Sequence, residues 1–358
     1  MSEAWIDGRS VTLDVAVGEA AKLLRASRLP VVAGLGTDIA GARAAIALAE
    51  RLGGVVDHMH ADAVLRDLEV MREAGVMVTT PNEARLRGDV VLLVGSGLAQ
   101  TWPDLADRLL TAPLANGASR RILWLCPGRD AKALSPGATT LGRGPDELPG
   151  LVALLRARIA GRPVSRAPKG LDRFVDALKA ARFGIAVWSA SHLAPLTIEM
   201  LRGVVKDLNA ETRFTGLPLA QPDNAAGVLQ ACGWMTGFPM RTGFGRGYPE
   251  HDPWRFDAQR LVESREADCV LWISAYGTPA PRWLGDVPTI ALTPDREDVP
   301  NSRIRIAVGQ PGVSHSAIEH NAAFGALTYR AASHKSNMPA AAEVIGRIAA
   351  ALPGAWPC

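Results

Sequence analysis

Cysteines are few in this chain of 358 residues, and its basic residues are not clustered. Its four cysteines, Cys126, Cys232, Cys269 and Cys358, lie far apart and form no CxxC pair. That spacing excludes an ordinary iron–sulfur motif and gives no sign of a disulfide framework. Only 6 of the 39 basic residues are Lys, the arginines are scattered, and the net charge is only +3. We therefore do not expect a nucleic-acid-binding protein.

Long apolar runs are also missing. No apolar stretch approaches the ~18 residues that a membrane span needs. Residues 1–9 contain two acidic side chains and no apolar core, unlike a signal peptide. We therefore expect a cytoplasmic protein without a membrane segment. The hydrophobic content of 48% is sufficient for a full core, and the length favours two domains.

Short apolar runs alternate with helical patterns, which predicts an α/β protein. Several runs are apolar at almost every position, as in parallel strands buried on both faces; they are residues 30–34, 89–94, 121–125, 184–188 and 267–275. The pattern of the first half returns in the second half. We therefore predict two Rossmann-like, doubly wound parallel-sheet domains, in residues 1–165 and 166–310. Residues 311–358 are expected to pack back on the first domain.

The most distinctive segment, which we call the central segment, runs from Asp223 to Pro253. Between Gly233 and Pro249 it contains five glycines, two prolines, four aromatic residues and two arginines. This density of Gly and Pro argues against a regular helix or strand, and the aromatic residues argue against a flexible linker. We predict an ordered loop, residues 233–253, inserted at the ligand end of the second domain. It either packs on another subunit or lets the backbone approach a flat or phosphorylated group.

Two further patterns are weaker indications of a site. Gly34, Gly36 and Gly41 have the spacing GxGxxxxG rather than the GxGxxG of dinucleotide-binding turns, although Asp57 stands near the expected acidic position. His58 and His60 follow a predicted strand, and residues i and i+2 of a strand share a face, so both could bind one metal ion. The HxH pair is similar to the first ligands of many amidohydrolases, but no further ligands are recognisable. For the glycines we favour a plain turn between a strand and a helix over a dinucleotide site. For the two histidines we favour a polar loop after a strand over a metal site.

A family resemblance rests on the central segment. Asn224-x-x-Gly227 followed by further glycines is similar to the second α/β domain of molybdopterin oxidoreductases. The passages at residues 234–239 and 244–249, WMTGFP and FGRGYP, more specifically resemble the B subunit of formylmethanofuran dehydrogenase. Residues 53–57 and 89–95 also fit. The resemblance implies these candidate residues of a degenerate pterin pocket: Asn224, Gly227, Gly237, Arg241, Arg246 and Tyr248.

The chain departs from that family where the metal would bind. The family's N-terminal cysteine cluster is absent, and its metal-binding cysteine aligns with Ala63, which has no lone pair to offer. We therefore expect no molybdopterin, molybdenum, tungsten or iron–sulfur cluster. This combination resembles the homologous subunit of the formyltransferase/hydrolase complex of methylotrophic bacteria, a hetero-oligomer of one-carbon metabolism.

The resemblance implies a non-redox structural subunit that is not catalytic by itself. Partner subunits would transfer a formyl group from formyl-tetrahydromethanopterin to a methanofuran-type carrier and hydrolyse it to formate. Two alternatives stay open. One is a metal-dependent hydrolase that uses His58 and His60. The other is a surviving pterin or nucleotide site, in which Asn224, Arg241 and Arg246 would point into an open cavity.

Overall fold

The computed structural model describes residues 4–130, 134–294, 299 and 301–353. Helices and strands alternate along them. The α-helices of the described residues are α1 (Leu13–Ala26), α2 (Ile39–Leu52), α3 (Ala61–Ala74), α4 (Pro81–Arg87), α5 (Leu98–Thr101), α6 (Leu148–Ile159), α7 (Leu171–Lys179), α8 (Pro195–Leu208), α9 (Ala225–Thr236), α10 (Ala258–Glu263) and α11 (Ala341–Ala351). Among these residues, no helix combines the length and apolar character needed to cross a bilayer.

The strands of the described residues belong to three sheets. They are β1 (Ala4–Ile6), β2 (Arg9–Val11), β3 (Pro30–Gly36), β4 (Val55–Val56), β5 (Val90–Val94), β6 (Arg121–Leu125), β7 (Thr139–Leu141), β8 (Gly184–Trp188), β9 (Phe214–Pro218), β10 (Thr242–Gly243), β11 (Glu250–His251), β12 (Cys269–Ser274), β13 (Thr289–Thr293), β14 (Ser302–Ala307), β15 (Ala317–Asn321) and β16 (Ala326–Arg330). The predicted α/β class is confirmed.

The chain divides into two compact units that are discontinuous in sequence. Unit 1 comprises residues 1–61, 223–320 and 327–358, and unit 2 comprises residues 62–222 and 321–326. The predicted boundaries at 165 and 310 do not follow these units. The reason is that β3, from the first half, pairs in parallel with β12, from the second half. Since β3 is buried along its whole length, both of its edges need hydrogen-bonding partners, and β4 supplies only one of them.

Unit 1 is built on a nine-stranded mixed sheet with the order β11-β10-β4-β3-β12-β13-β14-β1-β2. The five strands from β4 to β14 are parallel, and the two strands at each edge run antiparallel to their neighbours. Helix α11 packs against α1 and α2. The Arg51 guanidinium donates to the carbonyls of Ala349 (2.6 Å) and Leu352 (2.9 Å), so a cation satisfies the carboxyl end of α11.

Unit 2 is built on a five-stranded parallel sheet with the order β7-β6-β5-β8-β9. Alternate residues of β5 enter two different hydrophobic clusters, with Leu92 in one and Leu93 in the other. The sheet is therefore buried on both faces, as its uninterrupted apolar strands predict. Polar atoms of its large side chains are paired: Trp188 Nε1 donates to Asp67 (2.8 Å), and Trp124 Nε1 donates to the Gly95 carbonyl (2.8 Å).

The segment predicted as an irregular loop is partly regular, so that prediction is wrong in part. Residues 233–236 form the last turn of α9, and the helix ends at Gly237, which has φ +78°. Strands β10 and β11 then form a short antiparallel pair on the edge of the unit 1 sheet. Gly233 is tolerated in the helix because the opposite face, which includes Val228 and Ala231, is buried.

Candidate functional site

A polar cluster lies in unit 1 beyond the carboxyl ends of β4 and β12. It consists of His58, His60, Asp223 and Thr278, which we call the Asp223 cluster. The two histidines follow β4, Thr278 follows β12, and Asp223 precedes α9. In doubly wound folds this edge of a parallel sheet is where ligands bind. The geometry of the cluster therefore decides what this edge can hold.

Asp223 is the centre of the cluster, and all of its oxygens are engaged. Its Oδ1 accepts from Thr278 Oγ1 (2.8 Å), its Oδ2 lies 2.8 Å from His60 Nε2, and its backbone carbonyl lies 3.1 Å from His58 Nε2. Burial acts to raise the pKa of Asp223, but hydrogen bonds from His60 and Thr278 outweigh it and lower that pKa. The carboxylate is thus held ionised by groups of the protein itself.

His58 has no lone pair left for a metal ion. Its Nδ1 accepts from the backbone N–H of His60 (3.0 Å), so its Nε2 carries the proton and donates to the Asp223 carbonyl. Burial and the neighbouring His60 lower the pKa of His58 to about 4, which keeps the ring neutral. Among the described residues, no group of three or more His, Cys, Asp or Glu side chains could hold a metal ion. The donor set does not fit the proposed HxH metal site.

The glycines after β3 serve packing within the protein. A Cβ on Gly34 would lie 2.5 Å from the Ile273 carbonyl oxygen of β12, and a Cβ on Gly41 would lie 2.1 Å from Thr37 Oγ1. A Cβ on Gly36 would lie 2.9 Å from the Met59 side chain. These contacts account for all three glycines without a phosphate group.

The amino end of α2 is also closed to an anion. Asp38 caps it, since the Asp38 carboxylate accepts from the Gly41 N–H (2.9 Å). A carboxylate in that place repels a phosphate group. Asp57 is buried and accepts from the Ala258 N–H (2.9 Å), so it is not available to a ribose. The dinucleotide fingerprint suggested by the spacing is therefore not supported.

The Asn224 side chain links its own segment to two others of unit 1 by hydrogen bonds. Its Nδ2 donates to the Thr37 carbonyl (2.8 Å), and its Oδ1 accepts from the His320 N–H (2.8 Å). Its backbone adopts the left-handed conformation, with φ +58°, directly before α9. A Cβ on Gly227 would lie 2.2 Å from the Asn224 Oδ1, so Gly227 leaves room for this side chain. Both residues of the Asn-x-x-Gly pattern therefore join parts of unit 1.

The pair Gly227→Ala and Gly233→Ala tests this role of Asn224. Gly227→Ala displaces the Asn224 side chain and its two hydrogen bonds, and we expect the free energy of unfolding to fall by about 1–2 kcal/mol. Gly233 lies on the same helix with open space around it, so Gly233→Ala is expected to raise that free energy by up to about 1 kcal/mol. Urea denaturation of the two variants measures both effects. Equal shifts of the same sign would show that Asn224 is not held as described.

The remaining candidate residues do not gather around Asn224. Arg241 forms ion pairs with Asp57 (Nε–Oδ2 3.4 Å) and Asp257, and it donates to the Pro253 carbonyl (2.8 Å). Arg246 is exposed and pairs with Glu250 (3.2 Å). Gly237 is the left-handed residue that ends α9, and Tyr248 is exposed on the surface. The predicted convergence of Asn224, Arg241 and Arg246 on one cavity therefore has no support in these contacts.

Sequence reasoning missed a second polar group in unit 1. Tyr276 donates from its hydroxyl to Glu319 Oε2 (2.9 Å), and Arg330 pairs with Glu319 Oε1 (2.9 Å). Burial, followed by the charge of Glu319, raises the pKa of Tyr276. Glu319 and Arg330 lie on the hairpin of β15 and β16, which was not predicted because its polar strands have no apolar run. No sequence pattern links this hairpin to Tyr276.

Comparisons with known proteins identify relatives along nearly the whole chain, although no family model matches it. The B subunit of the formyltransferase/hydrolase complex Fhc of Methylorubrum extorquens is 35% identical over 357 residues, which cover 95% of this chain and 94% of that protein. The B subunit of the tungsten-containing formylmethanofuran dehydrogenase 2 of Methanocaldococcus jannaschii is 25% identical over 342 residues, which cover 88% and 77%.

A solved structure agrees with the sequence relatives. A chain in the crystal structure of the formyltransferase/hydrolase complex FhcABCD from Methylorubrum extorquens, in complex with methylofuran, superposes with a TM-score of 0.88. It is 35% identical in sequence, and the match covers 96% of this chain and 97% of that one. The resemblance seen in the central segment is thereby confirmed. The chain belongs to the family of the B subunits of formyltransferase/hydrolase complexes.

Proposed function

We propose that this chain is a non-redox structural subunit of a formyltransferase/hydrolase complex. In such a complex, partner subunits would transfer the formyl group from formyl-tetrahydromethanopterin to a methanofuran-type carrier and hydrolyse it to formate. The observation that carries the proposal is the 35% identity, over 95% of this chain, to the B subunit of such a complex. The assignment to one-carbon metabolism depends on that relative.

The absence of redox chemistry is supported by the residue at the metal position. By the resemblance, Ala63 stands where the formylmethanofuran dehydrogenases have their metal-binding cysteine, and a methyl group cannot ligate molybdenum or tungsten. Ala63 is 5% exposed and belongs to a hydrophobic cluster of unit 2. The residue thus has a packing role. We propose that the chain binds no molybdopterin, molybdenum, tungsten or iron–sulfur cluster.

The sheet edge of unit 1 that carries the Asp223 cluster supports a structural role in a second way. His58 and Asp223 have their hydrogen-bonding capacity used by neighbouring protein groups. Met59 lies against Gly36 at the end of β3, and Asp38 occupies the amino end of α2. A pterin or nucleotide would have to displace each of these contacts. The two alternatives, a metal-dependent hydrolase and a surviving pterin or nucleotide site, therefore gain no support from this edge.

Contact with partner subunits is supported by exposed aromatic residues in the central segment and directly after it. Trp234 and Trp254 are 63% and 71% exposed, and Phe238 and Tyr248 are also exposed. Trp and Tyr are enriched at protein interfaces, because each buries a large area at a small entropic cost. The segment therefore has the composition of an interface. The cytoplasmic location of the assembly stays a prediction.

Co-expression with the other subunits tests the proposal. A tagged copy of this chain should stay bound to the three other subunits of the complex through size-exclusion chromatography. Hydrolysis of the formyl carrier should require those other subunits. The double variant Trp234→Ser/Trp254→Ser should lose at least about 30-fold in partner affinity, since the loss of even one hot-spot Trp costs about 2 kcal/mol or more. Leu196→Ser changes a 63% exposed side chain in unit 2 and is the control. Activity of the isolated chain, or failure to form any complex, would refute the proposal.

A further inference from the structure

Arginines precede four of the five strands of the unit 2 sheet. The strands are parallel, so their amino ends lie on one edge, opposite the edge where doubly wound folds bind ligands. Each arginine stands at the first residue of a strand or within three residues before it; they are Arg87, Arg120, Arg121, Arg182 and Arg213. Two acids, Asp89 and Glu211, stand within the same distance of a strand start, so this amino edge carries more basic than acidic residues.

A cleft of about 450 Å³ opens at this edge. Its volume lies within the range of small-molecule sites. The polar and charged residues that line it include Asp89, Asn116, Ser119, Arg120, Arg121 and Arg182. Among the described residues that line the cleft, three are arginines and Asp89 is the one acid. The cleft therefore has an excess of positive charge.

Two of these charged groups form hydrogen bonds with backbone groups of the protein. The Asp89 carboxylate accepts from the backbone N–H groups of Arg182 and Phe183, both at 2.9 Å. The Arg120 guanidinium donates to backbone carbonyls, including those of Gly88 (2.7 Å) and Ala112 (2.8 Å). These bonds fix the wall of the cleft.

The other two arginines in the cleft are uncommitted. Arg121 and Arg182 are exposed, and among contacts between described residues neither guanidinium has a hydrogen bond or an ion pair. The flanking Arg87 and Arg213 differ, because both lie over the Phe183 ring, at 4.7 and 5.3 Å from its centroid. Two exposed arginines that line one cleft place positive charge there that an anion can neutralise.

We propose that this amino-edge cleft binds a small polyanion that carries phosphate or carboxylate groups. The planar guanidinium matches both groups, because it donates two parallel N–H bonds to two oxygens of one anion. Arg121 and Arg182 would each hold one anionic group. Asn116 and Ser119 supply neutral hydrogen-bonding groups on the same wall. The site is separate from the Asp223 cluster, since all of its residues belong to unit 2.

Titration calorimetry on the full chain tests this site, with pyrophosphate and citrate as probes for phosphate and carboxylate. We expect saturable binding of at least one probe, and Arg121→Ser/Arg182→Ser should weaken it by about 30-fold or more, since each charge-assisted contact is strong. Arg166→Ser/Arg173→Ser removes the same charge from exposed positions outside the cleft and should leave affinity nearly unchanged. The preferred probe identifies the group that the site recognises.

Any of three results would overturn the proposal. The first is the lack of saturable binding of either probe. The second is an equal loss of affinity in both double variants, which would indicate general attraction to a basic surface. The third concerns the stability of the double variant. A thermal unfolding scan accompanies each titration. If Arg121→Ser/Arg182→Ser lowers the melting temperature but leaves affinity unchanged, the two arginines stabilise the sheet edge and the binding assignment is wrong.

Discussion

Arg241→Ala is expected to lower the free energy of unfolding by about 3 kcal/mol, whereas Arg246→Ala should change it by less than about 0.5 kcal/mol. Both residues were candidates for the same pocket. The Arg241 side chain is only 12% exposed and pairs with two carboxylates, those of Asp57 and Asp257. The Arg246 side chain is 60% exposed and pairs with Glu250, which is itself partly exposed. The structure thus indicates that Arg241 contributes strongly to stability and that Arg246 contributes little.

The size of the Arg241 effect follows from the burial of Asp57. Removing one partner of a buried ion pair leaves the other charge without compensation, which typically costs about 3–5 kcal/mol. Burial already raises the pKa of Asp57 to about 7 against the opposing charge of Arg241, so Asp57 can take up a proton when Arg241 is lost. That places the expected cost at the lower end. Urea denaturation measures it, and equal effects of the two substitutions would contradict the assignment.

His58 is expected to make the protein sensitive to acid. Burial lowers its pKa from 6.5 to about 4, so the unfolded chain binds a proton below pH 6.5 that the folded protein does not. The contribution of His58 to stability is therefore present above pH 6.5 and is lost as the pH falls to 4. This shift corresponds to about 3 kcal/mol over that interval.

Asp57 acts in the opposite direction over nearly the same interval. Its raised pKa means that the folded protein binds a proton that the unfolded chain has released, so its contribution is present at low pH and is lost as the pH rises towards 7. The two effects partly cancel in the unmodified protein. The difference in stability between the unmodified protein and a His58 variant removes the Asp57 contribution, because it is common to both.

His58→Gln isolates the effect. The stability advantage of the unmodified protein over His58→Gln should shrink by about 3 kcal/mol between pH 7 and pH 4, as measured by urea denaturation at four or more pH values. His334→Gln replaces an exposed histidine and should show no such change. A constant difference between the unmodified protein and His58→Gln across this range would mean that His58 is not buried and neutral.

The local elements were predictable from the sequence because their signals are local. Helix α2 and strand β8 begin and end where the apolar patterns begin and end, at residues 39–52 and 184–188. The pairing of β3 with β12 was not predictable, because an apolar strand shows that it is buried and does not show which strand lies beside it. The predicted linear domains fail for that reason. The composition of residues 233–236 also did not indicate that they form the last turn of α9. The burial of one face of that helix outweighs the cost of placing Gly233 in it.

The candidate site was predicted in part for the same physical reason. The proximity of His58 and His60 follows from their spacing of two residues. Their engagement by Asp223 depends on a contact across 165 positions of sequence, which no local pattern indicates. Arg241 was a candidate residue of a degenerate pterin pocket, yet it pairs with the Asp57 carboxylate, which follows β4 and is 184 positions away in sequence. Arginine pairs with a ligand anion as readily as with a carboxylate of the protein. The sequence around Arg241 therefore could not show which of these two partners it has.

Metal and pterin analysis of the purified chain, alone and with its co-purifying subunits, tests the central claim most directly. Elemental analysis and denaturing extraction of pterins measure both components of the family's cofactor. A non-redox structural subunit predicts no stoichiometric molybdenum, tungsten or pterin in either sample, together with stable association of the other subunits. Stoichiometric molybdenum or tungsten accompanied by a pterin would contradict the claim and would require a metal ligand other than a cysteine at the position of Ala63.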